Sequence, residues 1–157
     1  MKYSSIFSVV ASLVFSPGVV LAEGHSVSVQ GPDGSSRKFS LETLDNLPQT
    51  SFETSTIWTD GVVAFSGVSL SAILDEAGFS GAIVRMSALN DYSVDFPMAE
   101  IGKDYPIVAT RMNGTEMPVR DKGPYWMVFP YDADPSYRTK TAYARSVWQL
   151  SKLLVIK

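Results

Sequence analysis

Hydrophobic and polar residues alternate along much of this chain, which is the pattern of β-strands that bury one face. Val27 and Val29 alternate with serines, and the turn signal at residues 31–34 separates them from a return strand. Asn113-Gly114 is the strongest hairpin signal in the sequence, and Gly67 is expected to bend the chain after an apolar run. The pattern predicts strands at residues 37–39, 52–58, 62–65, 83–89, 92–96, 107–112, 116–119, 125–129 and 150–156.

Two segments show the spacing of helices instead. Leucines recur every third residue over residues 41–47, after Ser40 as the N-cap, and predict a short helix. Apolar residues over 70–77 fall at i, i+3, i+4 and i+7 after Ser69, and a glycine ends this second helix. A further helical turn is expected within residues 137–144. Many short strands with two or three short helices predict an α+β domain.

The N-terminal residues have the composition of an export signal. Lys2 provides a positive charge, residues 6–15 form an apolar core, and Ala22 provides a small residue for cleavage. The apolar run is too short to span a bilayer. We therefore expect a signal peptide over residues 1–22, cleaved after Ala22, and a mature periplasmic domain over residues 23–157.

The composition excludes several kinds of chemistry. The chain has no cysteine, which excludes thiolate metal sites, redox dithiols and cysteine nucleophiles. We expect its single histidine, His25, to be solvated and inert near the mature N-terminus. A net charge of −3 gives no electrostatic reason to bind nucleic acid. Serine-nucleophile motifs and glycine-rich phosphate loops are missing as well, so the sequence predicts no catalytic residue and no metal site.

Polar residues separate two predicted strands at Asn90-Asp91-Tyr92. An amide and a carboxylate at one sheet edge can together recognise a flat heterocycle that carries both donors and acceptors. Alternatively, Asn90 or Asp91 forms an Asx-turn and only caps its own backbone. The spacing does not distinguish these two interpretations.

Two tryptophans, Trp58 and Trp148, lie at the ends of predicted strands beside polar neighbours. An indole ring is a good stacking surface for an aromatic ligand, although tryptophans at such positions are also common in a core or at its rim. Arg111 and Arg145 can hold an anion or carbonyl oxygen bidentately, or they can be surface charges. Gly123, before a proline, allows a close approach of the backbone to a ligand.

Three segments, taken in order, resemble one family. They are GVVAFSGVSLSAILDEAG, MSALNDYSVDFP and RMNGTEMPVRDKGPYWMVFPYD, which are similar to successive elements of the sulfite oxidase-like molybdopterin-binding domain. The resemblance covers residues 26–157 and implies a mixed β-sheet with a few short helices. Enzymes of this family hold molybdenum through a cysteine. The corresponding stretch here is STIWTDG, with Trp58 near that position, and Trp126 replaces a cofactor-anchoring arginine.

The departures resemble the small exported members of the family that bind free pterins. This resemblance implies a periplasmic, non-catalytic pterin-binding protein that reports its ligand to the periplasmic domain of a membrane-bound signalling partner, such as a cyclic-di-GMP enzyme or a sensor kinase. No metal or other cofactor is then required. The implied ligand contacts are Trp58, Asn90, Asp91, Tyr92, Arg111, Gly123, Arg145 and Trp148.

Two other hypotheses remain open from the sequence. One is a molybdopterin-dependent oxidoreductase subunit that binds molybdenum without a cysteine ligand. The other is an interaction module whose pocket has filled in, which requires Trp58 and Trp148 to pack in a dry core.

Overall fold

The computed structural model describes residues 24–157 as strands joined by short helices and loops. The predicted signal peptide lies outside the described residues. The strands are β1 (Ser26–Gln30), β2 (Ser36–Ser40), β3 (Thr50–Ser55), β4 (Val62–Ser69), β5 (Ile83–Ala88), β6 (Ser93–Pro97), β7 (Ile107–Met112), β8 (Thr115–Glu116), β9 (Trp126–Val128) and β10 (Leu150–Ile156). The helices are α1 (Leu41–Asp45), α2 (Leu70–Ala77) and α3 (Lys140–Ala144), with 3-10 turns at Met98–Glu100 and Pro135–Tyr137.

The strands form two five-stranded sheets. Sheet A has the order β2-β1-β10-β5-β6, and sheet B has the order β3-β4-β7-β8, with β9 also paired to β7. The β1–β10 pair is parallel, whereas the neighbouring β1–β2 and β10–β5 pairs are antiparallel, so sheet A is mixed. These sheets and the short helices confirm the α+β prediction. Among the described residues, no helix has the length and apolar character needed to cross a membrane.

The helix starts are capped as the sequence predicts. Ser40 Oγ accepts a hydrogen bond from the Thr43 N–H at 3.2 Å, and Ser69 Oγ accepts one from the Ala72 N–H at 3.1 Å. Each bond satisfies a backbone donor that the first helical turn leaves without a partner. Gly78 ends α2 in the left-handed region, with φ of 76°. Both predicted helices are confirmed, although α1 already ends at Asp45.

The bend predicted at Gly67 is wrong, because β4 continues through this residue to Ser69. The pairing register with β7 shifts between Ser66 and Gly67, so the chain forms an irregularity inside the strand. A Cβ at Gly67 would lie 2.0 Å from the Val108 carbonyl oxygen. The glycine therefore allows close packing of two strands and does not terminate one.

Two other predicted strands are shorter in the structure. The strand predicted over residues 52–58 ends at Ser55, whose N–H and hydroxyl donate to the two oxygens of Asp132 at 2.6 and 2.7 Å. Ser55 is the last residue of β3 paired with β4, opposite Val62, and residues 56–61 form the loop between the two strands. The strand predicted over residues 116–119 is reduced to Thr115–Glu116, and Pro118, which has no N–H, follows it.

The packed core includes the tryptophan that departs from the family pattern. Trp126 on β9 is fully buried, its indole N–H donates to the Ser146 carbonyl at 3.2 Å, and its ring lies 5.3 Å from that of Phe65. The Trp126 ring also lies 5.8 Å from the Trp58 ring, measured between centroids. Trp126 therefore packs the loop at residues 56–61 against the core.

Candidate functional site

Three connecting segments, here called the site loops, meet at one end of the molecule. They are residues 56–61 between β3 and β4, residues 89–92 between β5 and β6, and residues 145–149 between α3 and β10. The rings of Trp58 and Trp148 join the first loop to the third at 5.8 Å. The Leu89 N–H donates to the Gln149 carbonyl at 2.9 Å and joins the second loop to the third.

A cavity of about 270 Å³ opens between the site loops. This volume is just below the range of drug-sized ligand sites and suits a small ligand. Its existence argues against a pocket that has filled in with core side chains. The lining residues are Trp58, Ala88, Asn90, Tyr92, Tyr143, Ala144, Ser146, Val147 and Trp148.

The Trp58 ring is held in place by its aromatic neighbours. It makes edge contacts with Trp126, Tyr131, Tyr143 and Trp148, with centroids 5.6 to 6.1 Å away and interplanar angles of 67° to 86°. Edge-to-face pairs of this kind are among the preferred aromatic geometries. The indole N–H of Trp58 has no acceptor among the described residues and is not buried.

The turn at residues 89–92 has the backbone-capping geometry that was one of the two interpretations of its sequence. The Asn90 side-chain oxygen accepts the Tyr92 N–H at 3.2 Å, and Asp91 between them has a left-handed φ of 67°. This is the Asx-turn geometry, and Asn90 also lines the cavity. The Tyr92 hydroxyl donates to the Ala144 carbonyl at 2.8 Å, which ties this turn to the end of α3.

The cavity wall contains little charge. The Ser146 hydroxyl is bonded to the Tyr131 hydroxyl at 2.6 Å and to the Ala142 carbonyl at 2.8 Å, so it is satisfied within the protein. Burial raises the pKa of Tyr131 to about 12, which keeps its hydroxyl protonated at neutral pH. Neither arginine nor lysine is among the lining residues. The wall is thus aromatic and apolar, with uncharged polar groups.

Arg111 lies away from this cavity. Its guanidinium makes a two-point contact with Asp45, at 2.6 and 2.8 Å between nitrogen and oxygen atoms. This hydrogen bonding lowers the pKa of the Asp45 carboxyl and raises the pKa of Arg111. The pair joins α1 to β7. The sequence does not predict this structural role, because the two residues are far apart along the chain.

Arg145 and Gly123 are not at the cavity either. Arg145 follows α3 but turns to its other side, where it donates to Glu100 at 2.6 Å and lies 4.3 Å above the Phe96 ring. The backbone of Gly123 packs closely against another part of the protein, since a Cβ there would lie 1.8 Å from the Met117 carbonyl oxygen. Of the eight predicted contacts, the cavity lining includes Trp58, Asn90, Tyr92 and Trp148. Asp91 is exposed beside Asn90 but, like Arg111, Gly123 and Arg145, it is not a lining residue.

Sequence reasoning missed one whole wall of the cavity. Tyr143, Ala144, Ser146 and Val147 come from the end of α3 and the loop after it, and Ala88 comes from the end of β5. Ala88 lies in the segment MSALNDYSVDFP, but its neighbours Asn90, Asp91 and Tyr92 were the candidates there. The available signal was the position of residues 143–147 just before Trp148, which was itself a candidate.

The comparisons with known proteins identify the family. A family model described as "Oxidoreductase molybdopterin binding domain" matches residues 15–133. This is most of the sequence, and the chain belongs to that family. No match was found among curated proteins.

The solved structures give the fold. The chain is similar to the structure described as the sulfane dehydrogenase SoxCD from Paracoccus pantotrophus, with a TM-score of 0.65 and 18% identity. The match covers 84% of this chain but 38% of that chain, so this protein spans well under half of the length of that structure. Together with the family match, this likeness confirms the predicted sulfite oxidase-like fold.

The residues present do not fit a complete molybdenum cofactor in this cavity. The sequence has no cysteine to ligate the metal, and the residues described include no group of three histidine, cysteine or carboxylate side chains that could hold an ion. The lining also lacks a cation to pair with the phosphate of molybdopterin. The groups that remain in the lining are aromatic, apolar and uncharged polar side chains.

Proposed function

We propose that this protein binds a free pterin in the cavity between the site loops and carries out no redox reaction on it. The observation that carries this proposal is the aromatic, uncharged cavity wall in a chain of the molybdopterin-binding family. The family relationship makes a pterin the natural ligand. The cavity lacks the groups that would hold the metal and the phosphate.

The recognition of a pterin rests on two kinds of contact. A flat heterocycle stacked on an aromatic side chain gains about 1–3 kcal/mol per ring, and Trp58, Tyr92 and Trp148 all line the cavity. The edge of an aminopyrimidinone carries both donors and acceptors. The Asn90 side chain lines the cavity, and its amide N–H groups are the part of this turn that can donate to that edge.

We place this function in the periplasm, as the resemblance to exported pterin-binding proteins implies, with the periplasmic domain of a membrane-bound signalling protein as the partner. A ligand can act on such a partner only if it favours one state of the surface over another. The site loops form the cavity wall and are also surface segments, which supports the proposal that they transmit this preference.

Calorimetry tests the proposed ligand. Titration of the purified protein with tetrahydropterin, and separately with oxidised pterin, should give saturable heat. Asn90→Ala should weaken binding about tenfold, the value of one lost hydrogen bond to a buried heterocycle edge. Asn46→Ala is the matched control, because Asn46 caps α1 outside the cavity. Absence of heat with either pterin, in protein shown to be folded, rejects the proposal.

An oxidoreductase that retains the molybdenum cofactor is the second candidate, and the family match favours it. Elemental analysis of protein purified from its native host separates the two candidates. Stoichiometric molybdenum establishes the oxidoreductase, whereas a pterin extracted without metal supports the binding protein.

A further inference from the structure

The large hydrophobic side chains exposed on this protein are concentrated in one place. Within residues 24–157, five such side chains have 36% to 65% of their surface exposed. Monomeric proteins usually scatter exposed apolar residues, and a contiguous group marks an interaction site. All five lie in the site loops or directly beside them, and we call this group the mouth surface: Ile57, Val62, Leu89, Tyr92 and Trp148.

The topology brings these residues together. Val62 pairs with Ser55 across the base of the first site loop, which also carries Ile57. Leu89 is in the second loop, whose backbone is bonded to Gln149 of the third. Trp148 contacts the first loop through Trp58. The mouth surface is therefore one patch around the cavity opening.

The charges of the site loops that have no salt-bridge partner among the described residues are carboxylates. Asp60 in the first loop and Asp91 in the second are exposed, and neither takes part in a salt bridge among the residues described. The cation in these loops, Arg145, has 15% of its side chain exposed and is paired with Glu100. An approaching molecule meets apolar side chains and two free carboxylates.

We propose that the mouth surface docks a protein partner that presents apolar side chains flanked by lysine or arginine. Such a surface is complementary in both hydrophobicity and charge. A second copy of this chain would bring two more carboxylates to the contact. Anionic lipid would be repelled by the same groups. The charge pattern thus selects a basic, amphipathic protein segment among the molecules that bind apolar patches.

Docking on this surface is coupled to the cavity. Tyr92 and Trp148 belong both to the cavity wall and to the mouth surface, so a ligand in the cavity and the partner would contact the same two side chains. This coupling rests on the proposed pterin function. Docking itself does not require a ligand.

A designed peptide probes the chemistry of the partner directly. The probe is a fluorescent amphipathic helix of about 18 residues, built of leucine and lysine, and its counterpart has glutamate in place of lysine. Fluorescence anisotropy should show saturable binding of the lysine peptide and none of the glutamate peptide. Leu89→Ser should weaken binding about tenfold, because it removes an apolar anchor.

Charge variants distinguish the mouth surface from a general attraction to an acidic protein. Asp60→Asn and Asp91→Asn should each weaken peptide binding by about two- to fivefold, as exposed ion pairs do. Asp75→Asn, on the exposed side of α2, is the control and should have no effect. An equal loss in the control, or no loss in Leu89→Ser with its thermal melt unchanged, overturns the proposal.

Two further measurements identify other occupants. Analytical ultracentrifugation compares the original protein with Leu89→Ser, and it should show no self-association that is lost in the variant. In a separate assay, the protein should not sediment with phosphatidylglycerol vesicles. Either positive result overturns the proposal in favour of a second copy or a membrane. If pterin binds and the lysine peptide does not, the docking proposal fails and the pterin function stands. If the peptide binds and no pterin does, the docking proposal stands alone.

Discussion

Replacing Trp148 or Trp126 by leucine should distinguish a ligand contact from a core contact. Trp148→Leu keeps much of the apolar surface but removes a planar ring that lines the cavity and is 36% exposed. That ring has one aromatic neighbour, Trp58, so the stability loss should be about 1–2 kcal/mol, one ring pair plus a small loss of buried area. The lost stacking should weaken pterin binding by about 1–3 kcal/mol, or roughly 5- to 150-fold in Kd.

Trp126→Leu should have a larger effect on stability than on ligand affinity. Trp126 is fully buried, packs on two aromatic rings and donates a hydrogen bond to the Ser146 carbonyl. Its replacement should lower the free energy of unfolding by about 3–5 kcal/mol, with a smaller effect on affinity because Trp126 is not a lining residue. Urea denaturation and calorimetry with tetrahydropterin measure both quantities in each variant. If Trp148→Leu binds pterin within about twofold of the original protein, the cavity is not the ligand site.

Three further predictions follow from contacts outside the cavity wall. Gly123→Ala places a Cβ 1.8 Å from a backbone oxygen and should lower the free energy of unfolding by about 1–3 kcal/mol, whereas Gly24→Ala, with open space around it, should be neutral in urea melts. Arg111→Gln should leave pterin affinity within about twofold but should destabilise the protein at neutral pH. Arg111 lowers the pKa of Asp45, so the difference in stability between the original protein and Arg111→Gln should disappear as the pH falls below the ordinary carboxyl pKa of 3.8. The pKa of Tyr131 is raised from 10.0 to about 12, so its contribution to stability should be constant below pH 10 and should fall between pH 10 and 12 by about 1.4 kcal/mol per pH unit. Urea melts from pH 8 to 12 should show a shallower fall in Tyr131→Phe, and an unchanged slope would contradict the assignment.

Local sequence signals predicted the local structure well. The serine N-caps of α1 and α2 and the Asn113-Gly114 hairpin depend on residues a few positions apart, and all three are confirmed. Asn113 and Gly114 both adopt positive φ, at 51° and 77°, as a tight hairpin turn requires. The pattern of alternation also located most strands, although their ends moved by several residues.

Contacts distant in sequence account for what was missed. Ser55 at the end of β3 bonds to Asp132, and Arg111 is occupied because α1 brings Asp45 to it. Gly67 looked like a bend because the sequence does not show that the Val108 backbone packs against it. In each case the deciding group is more than forty residues away, beyond any periodicity or turn signal.

The position of β10 in sheet A determines the order in which the molecule can assemble. The β1–β2 and β5–β6 hairpins are joined only through β10 among the described strands, and isolated two-stranded hairpins are marginally stable in water. Sheet A therefore becomes cooperative only after Leu150–Ile156 has inserted between them. The loop that carries Trp148 directly precedes this strand, so one wall of the cavity depends on the insertion of β10. The proposed ligand binding would therefore also report that β10 is in place.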